Sequence, residues 1–203
     1  MSEALARAVE AHGIRDPAVL RAIAEVPREL FLPRRERGAA DEDRPLPIGF
    51  GQTISQPYVV AFMTEGLGLT GRERVLEVGT GSGYQTAVLA RLSGRVYSIE
   101  RLPPLADRAQ ALLLDTLGLG NVELRTGDGG LGWPEEAPFD RILVAAAAEV
   151  IPAPLEAQLA PGGRMILPVG GVEEAQVLRR VEKGADGALS YTDLLPVRFV
   201  PLL

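Results

Sequence analysis

The chain contains no cysteine. That absence excludes disulfides, thiolate metal sites and a sulfur nucleophile, and with the last of these any attack on a cytosine ring through sulfur. Histidine and lysine occur once each, as His12 and Lys183. One imidazole builds no zinc site, and His12 falls near the end of an expected N-terminal helix, where a helix-terminal or surface role outweighs a catalytic one. A lone lysine far from any glycine-rich turn leaves no Gly-Lys-Ser/Thr loop to cradle phosphates. Positive charge is scarce overall: the net charge of −6 provides no electrostatic footprint for a phosphate backbone, so nucleic acid is not an expected partner. Long apolar runs are missing too. The longest, residues 142–148, is far short of a membrane span, and the start Met1-Ser2-Glu3-Ala4-Leu5-Ala6-Arg7 alternates charge with alanine instead of building a signal-peptide core. A cytoplasmic protein without membrane association is expected.

What is present is organised around Arg74-Val75-Leu76-Glu77-Val78-Gly79-Thr80-Gly81-Ser82-Gly83-Tyr84-Gln85-Thr86-Ala87. Val75, Leu76 and Val78 read as a short buried parallel strand, and 84–92 has helical spacing of apolar residues. Between them, glycine at every second position permits a tight turn and close approach of a ligand to the backbone. A dinucleotide fingerprint would need glycine at position 84, where Tyr84 stands, and a nucleophile elbow would need different spacing around Ser82. The remaining pattern is E-x-G-x-G-x-G, led by Glu77, which resembles the first motif of Rossmann-like S-adenosylmethionine-dependent methyltransferases. A plain strand-to-helix turn is the structural alternative.

At 203 residues the chain is expected to form one domain, 1–203, with an N-terminal helical and extended segment 1–47, a cofactor-binding core 48–170 and C-terminal strands 171–203. Helices are predicted at 3–11 and 17–26, the second opened by Asp16 and Pro17. An extended surface segment follows across 33–47, its Arg34, Arg35 and Arg37 forming a solvated face. Ser55 ahead of Pro57 predicts a helix start, with Gly66 and Gly68 marking the end. Strands at 74–78, 95–99, 122–125, 139–145 and 164–167 alternate with helices at 84–92, 104–117 and 154–159. That alternation predicts an α/β, doubly wound, mostly parallel sheet with right-handed crossovers. Strands at 175–181 and 188–200, joined by a turn at 183–187, are predicted to add an antiparallel edge.

In such a sheet the ligand lies beyond the carboxyl ends of the strands, where the chain order switches. Three features converge there: the glycine turn, Glu100 about 20 residues beyond it, and Asp128 followed by Gly129. Glu100 suits ribose hydroxyls by charge-assisted hydrogen bonds, and Asp128 suits an adenine amino group. Taken singly, Glu100 also reads as a solvated strand-end acid and Asp128 as an Asx turn.

The blocks Gly49-Phe50-Gly51-Gln52-Thr53-Ile54-Ser55-Gln56-Pro57-Tyr58, Leu76 to Gln85, Gly127-Asp128-Gly129, Pro161-Gly162-Gly163-Arg164-Met165-Ile166-Leu167-Pro168-Val169-Gly170 and Arg198-Phe199-Val200-Pro201-Leu202 resemble those of protein-L-isoaspartate O-methyltransferases. The Gln-Thr-Ile-Ser-Gln-Pro block is the specific one, since methyltransferases in general do not carry it. The resemblance implies a Rossmann-like methyltransferase fold that uses S-adenosylmethionine and no metal. It implies methyl transfer to the free α-carboxylate of L-isoaspartyl residues in damaged peptides and proteins, by a monomer. Carried over position by position, Gln52, Thr53, Ile54 and Ser55 line the donor site, with Ser55 the catalytic position. Gly79, Thr80, Gly81, Ser82, Glu100, Arg101, Asp128 and Gly129 are the matched cofactor positions. Many members have aspartate where Glu100 stands, a chemically tolerant change. The chain stops at Leu203 where such proteins run on for a few residues, so no contact from a longer tail is carried over. From spacing alone, Ser55 reads first as a helix N-cap, and the resemblance is what favours the catalytic role. Two other functions stay open: methyl transfer to a small molecule, and a non-catalytic module that binds the donor.

Overall fold

The computed structural model describes residues 2–171 and 175–203; residues 172–174 of the expected C-terminal segment 171–203 lie outside that description. Seven strands form one sheet: β3 (Arg74–Val78), β4 (Arg95–Glu100), β5 (Val122–Thr126), β6 (Phe139–Val144), β7 (Leu159–Val169), β8 (Gln176–Lys183) and β9 (Leu189–Val197), in the spatial order β5-β4-β3-β6-β7-β8-β9. The first five run parallel and the last two antiparallel, as the alternation of strands and helices predicts. From β3 the chain winds outward to β5, then returns to the other side of β3 as β6. The crevice of a doubly wound sheet therefore opens between β3 and β6.

Burial follows from period-2 placement of apolar side chains on strands covered on both faces. Val75, Val96, Leu143 and Ile166 point to the layer built by the N-terminal helices α1 (Glu3–Ala11), α2 (Pro17–Glu25), α3 (Pro57–Leu67) and α4 (Tyr84–Leu92). Their neighbours Leu76, Tyr97, Ile142 and Met165 point to the other layer with Leu155 of α6 (Ala153–Gln158). Asp16 accepts a hydrogen bond from the Ala18 amide and Pro17 opens α2, the capping that the sequence predicts. Gly68 closes α3 in the left-handed conformation.

Four segments differ from expectation. Residues 33–47 are not simply extended: a 3-10 helix covers Arg34–Ala39, and β1 (Leu46–Gly49) pairs antiparallel with β2 (Gln52–Ile54). Strands of four and three residues, one carrying Pro47, are too short to show a period, and their turn is set by positive φ at Gly49, Phe50 and Gly51. The helix expected at 104–117 is α5 (Pro103–Gln110) followed by a π-helical turn, Ala111–Thr116. The last parallel strand starts at Leu159 and takes in 161–163, because Gly162 at φ +77° absorbs an irregularity between the pairings Phe139↔Leu159 and Arg141↔Arg164. The final strand stops at Val197. Gln176 then holds the chain, accepting from the Phe199 amide and donating to the Phe199 carbonyl, and Pro201 bridges to Ala147. Among the described residues, no helix is long and apolar enough to cross a membrane.

Candidate active site

The cleft at the carboxyl ends of β3 and β4 encloses about 820 Å³ including its open mouth. It is lined by Gln52, Thr53, Ile54, Ser55, Gly79, Thr80, Gly81, Ser82, Glu100, Arg101 and Gly129. The structure thus brings all the sequence-derived site residues together except Asp128. That side chain accepts a hydrogen bond from the Gly130 amide at 2.8 Å, an Asx turn, and lines the adjoining cavity with Ala147 and Ala148.

The glycine turn is shaped from within. Gly83 starts α4 at φ +87°, where a Cβ would lie 3.0 Å from a Leu113 methyl. Glu100 does more than wait for a ribose. One carboxylate oxygen accepts from the Gly81 amide at 2.7 Å and the other from the Leu102 amide at 2.9 Å, so it braces the turn against the start of α5. A carboxylate oxygen accepts more than one hydrogen bond, and capacity for hydroxyl donors remains.

Glu77 is fully buried, one layer beneath this surface. It faces Ser98 across the β3–β4 ladder, and its Oε2 accepts from the hydroxyls of Ser98 and Thr86, each at 2.6 Å. The Ser98 hydroxyl is also 2.6 Å from that of Thr80, a cleft residue. Since Ser98 donates to Glu77, Thr80 donates to Ser98 and presents only lone pairs to the cleft. Burial pushes the Glu77 carboxyl up to about 7, against the lowering effect of its two hydroxyl donors and with a further push from the Glu100 charge. Its Oε1 has no hydrogen-bond partner among the described residues.

Ser55 sits where two depressions meet. A second groove of about 1220 Å³ runs past Tyr58, Val59 and residues 195–200, and shares Thr53, Ser55, Ala145 and Val200 with the first cleft. The expectation that Ser55 caps the following helix is corrected here: Gln56 holds the N-cap position and its side chain makes no cap bond. Asp43, far back in the chain, supplies the acceptors, taking the Tyr58 amide at 2.8 Å and the Gln56 side-chain amide at 3.0 Å. The Ser55 hydroxyl makes no hydrogen bond among the described residues. His12 lies half-exposed beside Asp43 and Tyr58, outside the lining of the first cleft, which fits its expected surface role.

The sequence reading missed one wall of the cleft, built by Val200, Pro201, Leu202 and Leu203. The Ala147 amide donates to the Val200 carbonyl at 2.8 Å, and the Leu202 amide to the Ala147 carbonyl at 2.7 Å. The Phe199-Val200-Pro201-Leu202 run carries the apolar character of a cleft wall, but nothing local says what it packs on.

The lining suits a nucleoside carrying an amino-acid arm. Glu100 keeps acceptor capacity for hydroxyl donors, Ile99 and Leu102 give apolar walls, and Thr80 and Ser82 offer polar contacts at the turn, whereas Arg101 is the one cation in the lining. No group of three or more metal-ligating side chains occurs among the described residues.

Comparison with known proteins agrees with this geometry. The sequence model of the family described as Protein-L-isoaspartate(D-aspartate) O-methyltransferase (PCMT) matches residues 1–203. Protein-L-isoaspartate O-methyltransferase 1 of Anaeromyxobacter sp. (strain Fw109-5) is 70% identical over 202 residues, covering 100% of this chain and 95% of the relative. The protein-L-isoaspartate O-methyltransferase of Anaeromyxobacter dehalogenans (strain 2CP-C) is 68% identical, with coverage of 100% and 97%. A solved protein-L-isoaspartate O-methyltransferase superposes with a TM-score of 0.90 at 32% identity over 99% of this chain, which spans 65% of that longer protein. A Plasmodium falciparum structure assigned as such a methyltransferase, in complex with S-adenosyl-L-homocysteine, superposes with a TM-score of 0.85 at 25% identity, covering 99% of this chain and 97% of the other. The chain belongs to the protein-L-isoaspartate(D-aspartate) O-methyltransferase family.

Proposed function

We propose that this chain, as a single methyltransferase domain, transfers a methyl group from S-adenosylmethionine to the free α-carboxylate of L-isoaspartyl residues in damaged proteins and peptides. The observation that carries this reading is the junction at Ser55. Donor cleft and peptide-sized groove meet there, and the hydroxyl between them is uncommitted within the protein. A small-molecule substrate would have no need of the second groove.

The donor supplies a methyl on a sulfonium, an activated electrophile, and the protein's work is orientation. An α-carboxylate with a pKa of about 3.3 to 3.7 is already ionised at neutral pH, so no general base is needed. Ser55 donates a hydrogen bond to one carboxylate oxygen while the other faces the methyl in line. Orientation of this kind supplies roughly 7 to 11 kcal/mol in favourable cases. The start of α3 contributes less to holding the anion, because Asp43 already takes the Tyr58 amide and sets a carboxylate there. Glu100 holds the ribose hydroxyls, while Gln52, Thr53, Ile54, Gly79, Gly81, Ser82, Arg101 and Gly129 enclose the donor. Asp128 acts from the adjoining cavity, through the turn that places Gly129. Methylation makes the carboxyl a good leaving group, and the neighbouring backbone nitrogen then closes a succinimide that reopens in part to ordinary aspartate. The net charge of −6 disfavours nucleic acid as an alternative partner, and we assign a cytoplasmic monomer.

Methyl incorporation into an isoaspartyl peptide and its ordinary aspartyl twin tests the assignment. Labelling confined to the isoaspartyl peptide is expected, and equal labelling of both would overturn it.

A further inference from the structure

Arg28 lies in the run Val26-Pro27-Arg28-Glu29-Leu30-Phe31-Leu32, whose apolar residues flank a single Arg-Glu pair. It is 1% exposed, among the largest fully buried side chains of the protein. Buried arginines are rare unless their donors and charge are answered. No carboxylate lies within ion-pair distance of it among the described residues. Its donors go to main-chain carbonyls instead: Nη1 to Ala40 at 2.9 Å and Glu42 at 3.1 Å, Nη2 to Arg44 at 2.9 Å and Ser55 at 3.1 Å. Four of the five guanidinium N–H groups are thereby used, leaving Nε without a partner. The guanidinium also stands 6.0 Å from the centre of the Tyr84 ring, a cleft residue.

The carbonyls belong to two separate stretches, the strap 40–44 and the residue at the junction of cleft and groove. Asp43, which holds Gln56 and the Tyr58 amide, rides on the same strap. Residues 55–58 are thus held from both sides by groups that the planar fork of Arg28 keeps in register. Neither their own sequence nor a cap by Ser55 does this. A buried charge with no carboxylate partner costs stability, and burial pushes the Arg28 pKa below its usual value. A hydrophobic side chain would fill the same volume without that cost, but it has no means of fixing a carbonyl.

We propose that Arg28 is a positioning residue for methyl transfer, holding the Ser55 main chain through a four-carbonyl clamp so that the free hydroxyl meets the substrate carboxylate. This rests on the reading of Ser55 given above. Lysine keeps a basic group but has no planar fork, so Arg28→Lys removes the fork alone, and Arg28→Met removes both.

The test is a double-mutant cycle on isoaspartyl-peptide methylation, with Arg28→Lys, Ser55→Ala and the pair, assayed well below each variant's melting temperature. S-adenosylhomocysteine affinity is measured calorimetrically alongside. Arg28→Lys is expected to lower kcat about ten-fold or more while leaving that affinity within about two-fold, since misplacement of a reacting group is felt in rate. In the Ser55→Ala background the same change is expected to cost little. Full activity of Arg28→Lys, or effects of the two changes that multiply independently, would overturn the clamp. Full activity of Ser55→Ala alone would instead overturn the role of Ser55, a distinguishable result. Should Arg28→Met fail to fold, the lysine variant still decides.

Discussion

Ser55 and Glu77 show how one side chain's surroundings set its chemistry. Asp43 takes over the capping of α3, so the serine hydroxyl at the mouth of the cleft has no partner among the described residues. Ser55→Ala is therefore expected to leave stability nearly unchanged and to lower methyl transfer ten-fold or more, the scale of a lost charge-assisted hydrogen bond of about 1.5 to 3 kcal/mol. Initial rates together with S-adenosylhomocysteine titration check this, and a variant that turns over normally would make the residue dispensable. Glu77 is the opposite case, a carboxyl committed wholly to the interior. Its folded pKa is raised to about 7 from 4.5, so the folded state binds the proton more tightly than the unfolded chain. The resulting stabilisation is complete below about pH 4.5 and is lost as pH rises through about 7, a decline of about 3 kcal/mol. Glu77→Gln should abolish that slope when urea unfolding is compared at pH 5 and pH 8. A slope as steep as in the parent protein would place the titration elsewhere.

Elements here are held as much by distant side chains as by their own sequences. The start of α3 is an example: its cap comes from a residue 15 positions before Tyr58. Asp43→Ala removes that cap and the bond from Gln56, and is expected to cost about 1 kcal/mol, within the 0.5 to 2 typical of caps. Calorimetry should show a melting temperature lower by about 2 to 4 °C. No change would mean that the amide finds another acceptor. The alternation of β3, α4, β4 and α5 is by contrast locally encoded. Apolar residues at period 2 or 3.6 and glycines at the turns put β3, α4 and β4 within a residue of their expected bounds, and α5 within a residue of its expected start. The short hairpin β1–β2 was not legible in this way, because seven residues of strand carry no period. Nor was the π-helical turn at Ala111–Thr116, where Leu113 packs on the space left by Gly83.

At the scale of the whole molecule, the cleft is closed by chain ends remote in sequence. β-strands β3 and β4 supply its floor, the 52–55 segment one side, and residues 200–203 another. Deleting residues 200–203 removes two main-chain hydrogen bonds to Ala147 and an apolar wall. The dissociation constant for S-adenosylhomocysteine should rise roughly five- to ten-fold, on the scale of one lost neutral hydrogen bond's net worth. Isothermal titration checks it, and unchanged affinity would show that this stretch does not wall the donor.

What the sequence by itself determined was whatever depends on near neighbours: strand and helix order, the glycine turn, the acid at the end of the second strand, and the absence of any thiol. A residue at a strand's carboxyl end is delivered to the crevice by topology alone, which is why Glu100 and the 79–82 turn were legible as site residues. Only the tertiary structure decided the partners of polar groups. Asp128 turned to its own backbone, Glu100 became a brace as well as an acceptor, Asp43 displaced Ser55 as a cap, and Arg28 closed on four carbonyls. The physical reason is that hydrogen-bond partners are chosen by distance in space, and donors and acceptors dozens of residues apart leave no periodic trace in the chain.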